Sequence, residues 1–361
     1  MILISLLGKY DSSIFPILFE FKNQIRKHII IHDDSRYETL KVQKIINSQT
    51  KFKEFYSLDY ETHSIKIDED SYDEIIKCYE KIVKISNYDY ANIFFFFIGG
   101  LASSTIILSN KLLDNCSYFI AYDIFDNGYN LVSNDAMKKM KIKENKDIYT
   151  HFLLKGYDLL SSGNKIEAFK RKNIVLKLCE NLETLQEFAA QIQNKQSHEI
   201  KGFSTIKELL FKIDKLEDKM FIQGTIFEEF IYWLIIDNFN FDQVMFNVKI
   251  EFEPALLNEF DILMIKNNHL HVIECKLRKA VPGEHYIYKL DSIIDYLDDD
   301  GKGMIVVIGG ENERYTDFGN AKKSFTHGSI VRANSANIKI HHSKTFDKNK
   351  FLEDIKNHFL D

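Results

Sequence analysis

The sequence predicts an α/β protein with a mainly parallel sheet in its first third and a second α/β region, built on an antiparallel hairpin, in its last third. In the first third, short apolar runs such as Ile93–Ile98 alternate with helix-like segments, a pattern typical of strands that helices cover on both faces. Residues 146–216 show helical periodicity instead. From Gly224 onward the predicted order is helix, strand, hairpin, helix and strand.

The chain has 361 residues, a length that suits two or three domains. We place the boundaries where the patterns change, with one α/β domain at 1–145, a helical linker at 146–216 and a second α/β domain at 217–361. The net charge of −6 argues against a protein that coats nucleic acid nonspecifically, although it is compatible with a local basic groove.

The four cysteines are scattered and form no Cys-x-x-Cys pair, as in proteins whose thiols stay reduced and bind no zinc. The amino terminus has no signal-peptide pattern. Glycines and serines interrupt the apolar run Ile93–Leu108, which is shorter than the roughly 20 residues that a membrane span needs. We therefore expect a cytoplasmic protein that has no membrane partner.

The predicted hairpin consists of strands at 260–266 and 269–276, joined by Asn267-Asn268, a pair that tolerates the positive φ angles of a tight turn. A turn centred on this pair sets residue 266 opposite residue 269. In the same register Asp261 lies opposite Glu274, and their Cβ atoms are about 5 Å apart.

Asp261, Glu274 and Lys276 share one face of this hairpin because side chains alternate along a strand. Two carboxylates this close repel each other, and a divalent cation between them removes the repulsion. Their oxygen ligands suit Mg²⁺ or Mn²⁺, and a neighbouring lysine suits phosphodiester hydrolysis. The alternative is an edge hairpin with a solvated charged face, which is less favoured because Leu263 and Val272 lie on the same face.

A helix that begins at Gly224 carries Glu228 and Glu229 in its first turns, and either could join the hairpin carboxylates. In the first third, two loops follow predicted strands, where ligands of parallel α/β sheets bind. The loop residues are Gly8, Lys9, Tyr10, Asp11, Gly99, Gly100, Leu101, Ala102, Ser103 and Ser104. The second loop suits a phosphate or ribose, but a Gly-Gly pair is equally compatible with strand-to-helix packing.

The helix glutamate, Asp261 and Glu274-x-Lys276, in this order of elements, resemble the PD-(D/E)XK nuclease fold. The match extends to the CRISPR ancillary nucleases that carry an amino-terminal CARF sensor domain. The matching segments are Gly-Thr-Ile-Phe-Glu (224–228), Asn-Glu-Phe-Asp-Ile-Leu (258–263), Asn-x-Leu-x-Val-Ile-Glu-Cys-Lys (268–276) and Tyr-Lys-Leu (288–290). The resemblance is strongest in the last third and extends to fold order and the Ile-Gly-Gly loop in the first.

This resemblance implies a Rossmann-like, CARF-type domain, followed by the helical linker and a restriction-endonuclease-like domain with a mixed sheet. Glu228, Asp261, Glu274 and Lys276 would be catalytic. Asp261, Glu274 and the Cys275 backbone carbonyl would hold Mn²⁺ or Mg²⁺, with Glu228 joining directly or through water. The resemblance also implies a homodimer that cleaves DNA or RNA in type III CRISPR antiviral defence. Its activator would be a cyclic oligoadenylate, with cyclic tetra-adenylate as the expected ring.

The second loop, Gly99–Ser104, departs from the CARF pattern, in which Thr-Lys often follows the glycines, because Leu101-Ala102-Ser103 stands there instead. Two other functions therefore stay open on the sequence. One is a nucleotide-binding regulator whose nuclease-like region has no turnover. The other is a restriction-type DNA nuclease that no cyclic nucleotide controls.

Overall fold

Strands and helices alternate through Met1–Asp158, the first of two compact units in the computed structural model; the second unit is Leu159–Asp361. The structure describes residues 1–7, 14–33, 36–97, 102–113, 118–123, 126–193, 195–253, 255–277, 283–298, 300–308, 313–315, 321–323, 325–343 and 345–360.

The first unit is built on a seven-stranded sheet with the order β3-β2-β1-β4-β5-β6-β7. Its strands are β1 (Ile2–Leu6), β2 (Lys27–Asp33), β3 (Glu61–Ile67), β4 (Ile93–Phe97), β5 (Tyr118–Asp123), β6 (Gly128–Val132) and β7 (Met137–Lys141). Strands β1 to β5 are parallel, as predicted, whereas β6 and β7 extend one edge in antiparallel fashion.

Helices cover both faces of this sheet. They are α1 (Ile14–Glu20), α2 (Arg36–Tyr56), α3 (Tyr72–Ile85), α4 (Ala102–Leu113) and α5 (Ile148–Lys155). Leu3 and Phe96 belong to a core shared with α1 and α5, whereas Ile4 and Phe95 belong to a second core shared with α3 and α4. Adjacent residues of each central strand thus pack into opposite cores, which explains why these strands are apolar throughout.

The second unit contains a mixed sheet of six strands in the order β15-β12-β11-β10-β9-β8. Its strands are β8 (Asp158–Ser161), β9 (Gln243–Glu253), β10 (Leu256–Lys266), β11 (His269–Leu277), β12 (Gly303–Ile308) and β15 (Ile338–Ser343); β13 (Glu313–Tyr315) and β14 (Ala321–Lys323) form a separate pair. Strands β9, β10 and β11 are antiparallel, and β11, β12 and β15 are parallel. This confirms the predicted mixed α/β fold.

The helices of the second unit are α6 (Lys165–Leu178), α7 (Leu182–Ile192), α8 (Ser204–Lys212), α9 (Ile226–Asn238), α10 (Gly283–Leu297), α11 (His327–Ser335) and α12 (Lys348–Ile355). A π-helical turn, Phe221–Thr225, leads directly into α9. One core joins α6 to α9 with buried residues of β10 and β11 such as Ile262 and Cys275. That packing fixes the strands of the hairpin against α9.

One element of the predicted helical middle is wrong. Helical periodicity in the sequence continues from Ile148 to Leu160, but the helix ends at Lys155, where Gly156 takes the left-handed conformation (φ 78°) and caps it. Asp158–Ser161 then forms β8 instead. The segment predicted as a linker, 146–216, contributes α5 to the first unit and α6, α7 and α8 to the second. Among the described helices, none combines the length and apolar character that crossing a bilayer requires.

Candidate active site on the β10–β11 hairpin

The β10–β11 hairpin has the predicted register. Lys266 pairs with His269, and Leu263 pairs with Val272. Asn267 and Asn268, between the strands, both have positive φ angles (51° and 68°), which are the values that a tight type I′ hairpin turn requires. Continued by two residues, the same register sets Asp261 against Glu274.

The two carboxylates meet at one cation of the protein itself. The Nζ atom of Lys276 lies 3.0 Å from Oδ2 of Asp261 and 2.7 Å from Oε1 of Glu274. It also donates a hydrogen bond of 3.0 Å to the backbone carbonyl of Cys275. The three oxygens that the sequence proposes as metal ligands therefore converge on one point, which the Lys276 ammonium occupies.

Burial makes this arrangement electrostatically demanding, because Asp261 and Glu274 are only 8% and 5% exposed. Burial, followed by the charge of Glu274, raises the pKa of Asp261, although Lys276 and the Cys275 N–H oppose this shift. The Cys275 N–H donates to Oδ2 of Asp261 at 2.7 Å. Burial alone lowers the pKa of Lys276, but the adjacent carboxylates of Asp261 and Glu274 raise it further, so its net shift is upward. Lys276 is therefore a fixed cation.

Glu228 and Glu229 have different environments. Glu229 is 1% exposed and accepts a hydrogen bond of 2.5 Å from the guanidinium of Arg171 on α6. Burial and the charge of Asp261 raise the pKa of Glu228 to about 8. Glu228 therefore belongs to the electrostatic environment of the hairpin carboxylates, and Glu229 is the partner of Arg171.

Helix α10 also borders the site. The Nζ atom of Lys289 lies 3.6 Å from Oε2 of Glu274, and the ring of Tyr286 is 5.3 Å from Nζ of Lys276. The sequence resemblance includes Tyr288 and Lys289 in a matching segment without connecting them to the carboxylates. Tyr286 and Lys289 are three residues apart, so they lie on one face of the helix.

The donor set fits a hard divalent cation that keeps part of its water shell. Among the described residues no group of three or more His, Cys, Asp or Glu side chains is arranged to hold a metal ion. Asp261, Glu274 and the Cys275 carbonyl would supply three oxygen ligands, while waters and a substrate phosphate complete the shell. This composition is usual for Mg²⁺ and for Mn²⁺.

Most of the predicted ligand loops lie outside the described residues: Gly8, Lys9, Tyr10, Asp11, Gly99, Gly100 and Leu101. The described part begins with α4, where Ala102 and Ser103 are exposed. Ser104 is buried and donates a hydrogen bond of 2.9 Å to Glu69, itself 8% exposed. The sequence did not single out Glu69, because no motif links a carboxylate after β3 to the start of α4.

Comparisons with known proteins match the part of the chain that contains these residues. Residues 214–316 match the family model described as Card1-like, endonuclease domain. No curated protein matches the chain significantly. The matched segment contains all four proposed catalytic residues and lies where the sequence resemblance is strongest.

Solved structures match nearly the whole chain. Can2 from Sulfobacillus thermosulfidooxidans, in complex with cyclic tetra-adenylate, has a TM-score of 0.70 at 15% identity, covering 99% of this chain and 98% of that one. Protein VC1899 from Vibrio cholerae has a TM-score of 0.72 at 16% identity, covering 99% and 96%. A type III CRISPR defence DNA nuclease activated by cyclic oligoadenylate has a TM-score of 0.54 at 10% identity, covering 88% and 47%.

At these identities the structural matches establish a shared fold, and they confirm the predicted combination of a CARF-type and a nuclease-type α/β domain. The family match concerns the second unit alone. Residues 214–316 of that unit are similar to the Card1-like endonuclease domain, and the chain has the fold of Can2.

Proposed function

We propose that this chain is a metal-dependent endonuclease that cleaves DNA, RNA or both, and that cyclic tetra-adenylate activates it in type III CRISPR antiviral defence. The observation that carries the proposal is that oxygens of Asp261, Glu274 and the Cys275 carbonyl converge on one point, the Nζ atom of Lys276. This convergence lies within the segment that matches an endonuclease domain.

Asp261, Glu274 and the Cys275 carbonyl would hold Mn²⁺ or Mg²⁺, with Glu228 joining directly or through water. A divalent cation held by these residues would supply Lewis-acid chemistry, which polarises a phosphodiester and lowers the pKa of a bound water. Lys276, whose charge is fixed by its two carboxylate neighbours, stabilises the negative charge that develops on the phosphoryl oxygens. Glu228, with a pKa raised to about 8, can hold or release a proton near neutral pH.

Regulation by cyclic tetra-adenylate rests on the CARF-type fold of the first unit. A Can2 structure with this fold contains cyclic tetra-adenylate, and a further structure of similar fold is of a nuclease activated by cyclic oligoadenylate. The loops Gly8–Asp11 and Gly99–Ser104 are the proposed contacts. We propose a homodimer because a cyclic tetranucleotide repeats one unit and suits two identical surfaces related by a twofold axis.

The test is cleavage of plasmid DNA and of single-stranded DNA and RNA by the full chain with Mn²⁺, with and without cyclic tetra-adenylate. Wild type should cut, and the activator should increase the rate. Glu274→Ala should cut at least about a hundredfold more slowly, as expected when a transition-state contact is lost. Glu208→Ala is the control, because Glu208 is an exposed partner of Lys212 on α8.

Equal persistence of the substrates with wild type and with Glu274→Ala, whether or not the activator is present, would rule out the nuclease. Cleavage that cyclic tetra-adenylate does not change would retain the nuclease and rule out the regulation. Light scattering of the purified chain measures the proposed dimer directly, and a monomer in the presence of activator would contradict it.

A further inference from the structure

A second lysine faces the carboxylates from another element of the fold. The Nζ atom of Lys276, on β11, lies 2.7 Å from Oε1 of Glu274, and the Nζ atom of Lys289, on α10, lies 3.6 Å from Oε2 of the same carboxylate. Two ammonium groups, separated by 13 positions in the sequence, thus share Glu274. The sequence resemblance assigns a catalytic role to Lys276, whereas it includes Lys289 only within the matching segment 288–290.

The two lysines are held differently. The side chain of Lys276 is 17% exposed and contacts Asp261, Glu274 and the Cys275 carbonyl. The side chain of Lys289 is 36% exposed, and its 3.6 Å distance to Glu274 is longer than a charge-assisted hydrogen bond of about 2.7–2.9 Å. Lys289 is attracted to Glu274 without being locked to it, and its ammonium also reaches solvent.

The backbone that carries Lys289 is nevertheless fixed. Its helix neighbours Ile287 and Leu290 are 0% and 3% exposed, so α10 is anchored through the core. Tyr286, one turn before Lys289, lies beside Lys276. A long, partly exposed side chain therefore extends toward the carboxylates from a helix anchored in the core.

The balance of charge at the site indicates what Lys289 can contribute. Asp261, Glu274 and an ionised Glu228 carry three negative charges, which Lys276 and one divalent cation neutralise. Lys289 then makes the loaded site positive overall, which attracts a phosphodiester. A cation bound between the carboxylates would also repel the Lys289 ammonium from Glu274.

We propose that Lys289 binds a phosphate of the nucleic-acid substrate, exchanging Glu274 for a non-bridging phosphate oxygen when the site is loaded. Lys276 stays within the site, although a bound cation would take over the oxygens that its ammonium contacts. The proposal rests on the proposed nuclease function, whose substrate it places along α10. Lys289 thereby contributes to substrate binding through a point charge, which is the usual way in which lysine binds phosphate.

The test measures binding apart from cleavage. Fluorescence anisotropy of a labelled 20-nucleotide single-stranded DNA, and of the matching RNA, is recorded with the full chain, cyclic tetra-adenylate and Ca²⁺ in place of Mn²⁺, over a series of salt concentrations. The variants are Lys289→Ala, Lys289→Arg and the control Lys339→Ala. Lys339 is a comparably exposed lysine, 42% exposed, that pairs with Asp354 on α12 at 3.0 Å.

Lys289→Ala should weaken binding about three- to tenfold and reduce the slope of log K against log salt by about 0.7, the value for one phosphate contact on a single strand. Lys289→Arg should keep the wild-type slope, and Lys339→Ala should match wild type. A Lys289→Ala variant with wild-type affinity and slope would overturn the proposal. So would an unchanged slope combined with weaker Mn²⁺ binding, because Lys289 would then only support Glu274.

The two proposals fail in different ways. Wild type that binds nucleic acid with the Lys289-dependent slope but cuts nothing with Mn²⁺ and activator would refute the nuclease and retain Lys289 as a phosphate contact. If wild type cuts nucleic acid and Lys289→Ala keeps the wild-type salt slope, the nuclease proposal is retained and the proposal for Lys289 is refuted. Absence of any nucleic-acid binding by wild type would overturn both.

Discussion

Lys276 Nζ lies 3.0 Å from Oδ2 of Asp261, at the point where the hairpin oxygens converge. An ammonium and a divalent cation therefore compete for the same oxygens. We predict that Lys276→Met binds Mn²⁺ at least as tightly as wild type, because the competing ammonium is removed and the two buried carboxylates lose their nearer cationic neighbour, which leaves Lys289 at 3.6 Å from Glu274. Cleavage should fall about a hundredfold or more, because charge on the phosphoryl oxygens is no longer stabilised.

Calorimetric titration of Mn²⁺ and single-turnover cleavage separate these two effects. Weaker Mn²⁺ binding by Lys276→Met would mean that the lysine supports the metal ligands and does not compete with the metal. Lys339→Met serves as the control because its charge pairs with Asp354 instead.

Metal binding should also stabilise the folded protein. At a Mn²⁺ concentration about 100 times the Kd, binding contributes about 2.7 kcal/mol, which raises the unfolding midpoint of a unit of about 200 residues by several degrees. Asp261→Asn should abolish this rise because it removes a proposed ligand. Scanning fluorimetry with and without EDTA measures it, and an equal rise in Asp261→Asn and wild type would place the metal elsewhere.

Much of this site could be predicted because it is local. Asn267-Asn268 fixes the register, and the register brings Asp261 to Glu274 across a few residues of chain. Continuous apolar strands such as β1 and β4 were equally recognisable, since both of their faces are buried. Met137–Lys141 was not, because this edge strand is largely exposed and polar, which leaves no hydrophobic pattern to read.

Contacts between side chains on distant elements could not be predicted from the sequence. The resemblance favours Glu228 over Glu229, but the contact that gives Glu229 a different role comes from Arg171, 58 residues away. The approach of Lys289 to Glu274 likewise depends on how α10 packs. Gly156 was a visible helix-ending signal, but the apolar residues after it continued the helical periodicity.

The raised pKa of Glu228, about 8, predicts that Mn²⁺ binding depends on pH. Below this pKa the side chain holds a proton that the metal must displace, so apparent Mn²⁺ affinity should rise up to about tenfold per pH unit between pH 6 and 8 and level off above. Glu228→Gln should flatten this dependence. Calorimetry at pH 7 in two buffers of different ionisation enthalpy counts the protons released.

Release of close to one proton by wild type, and clearly less by Glu228→Gln, is the expected result. Asp261 also has a raised pKa, and comparison of the two proteins separates its contribution from that of Glu228. Equal proton release by both proteins would assign the titration to another group.

The two neighbouring glutamates predict opposite effects on the stability of the metal-free protein. The pKa of Glu228 is raised when the protein folds, so its contribution to stability is present at pH values below about 4.5 and is lost as pH rises through about 8. Glu228→Gln should therefore raise the unfolding midpoint at pH 8.5 and change it little at pH 4.5. Glu229→Gln breaks a buried pair with Arg171 and should destabilise by about 3 kcal/mol.

Unfolding in urea at pH 8.5 and at the lowest pH where the protein remains folded compares both variants with wild type. Arg171→Met should reproduce the loss seen in Glu229→Gln, since either change leaves one member of the pair without its partner. A Glu228→Gln variant less stable than wild type at pH 8.5 would show that Glu228 makes a favourable contact in the metal-free site. The Glu228 carboxylate would then stabilise the folded protein, and its raised pKa would have no part in metal binding.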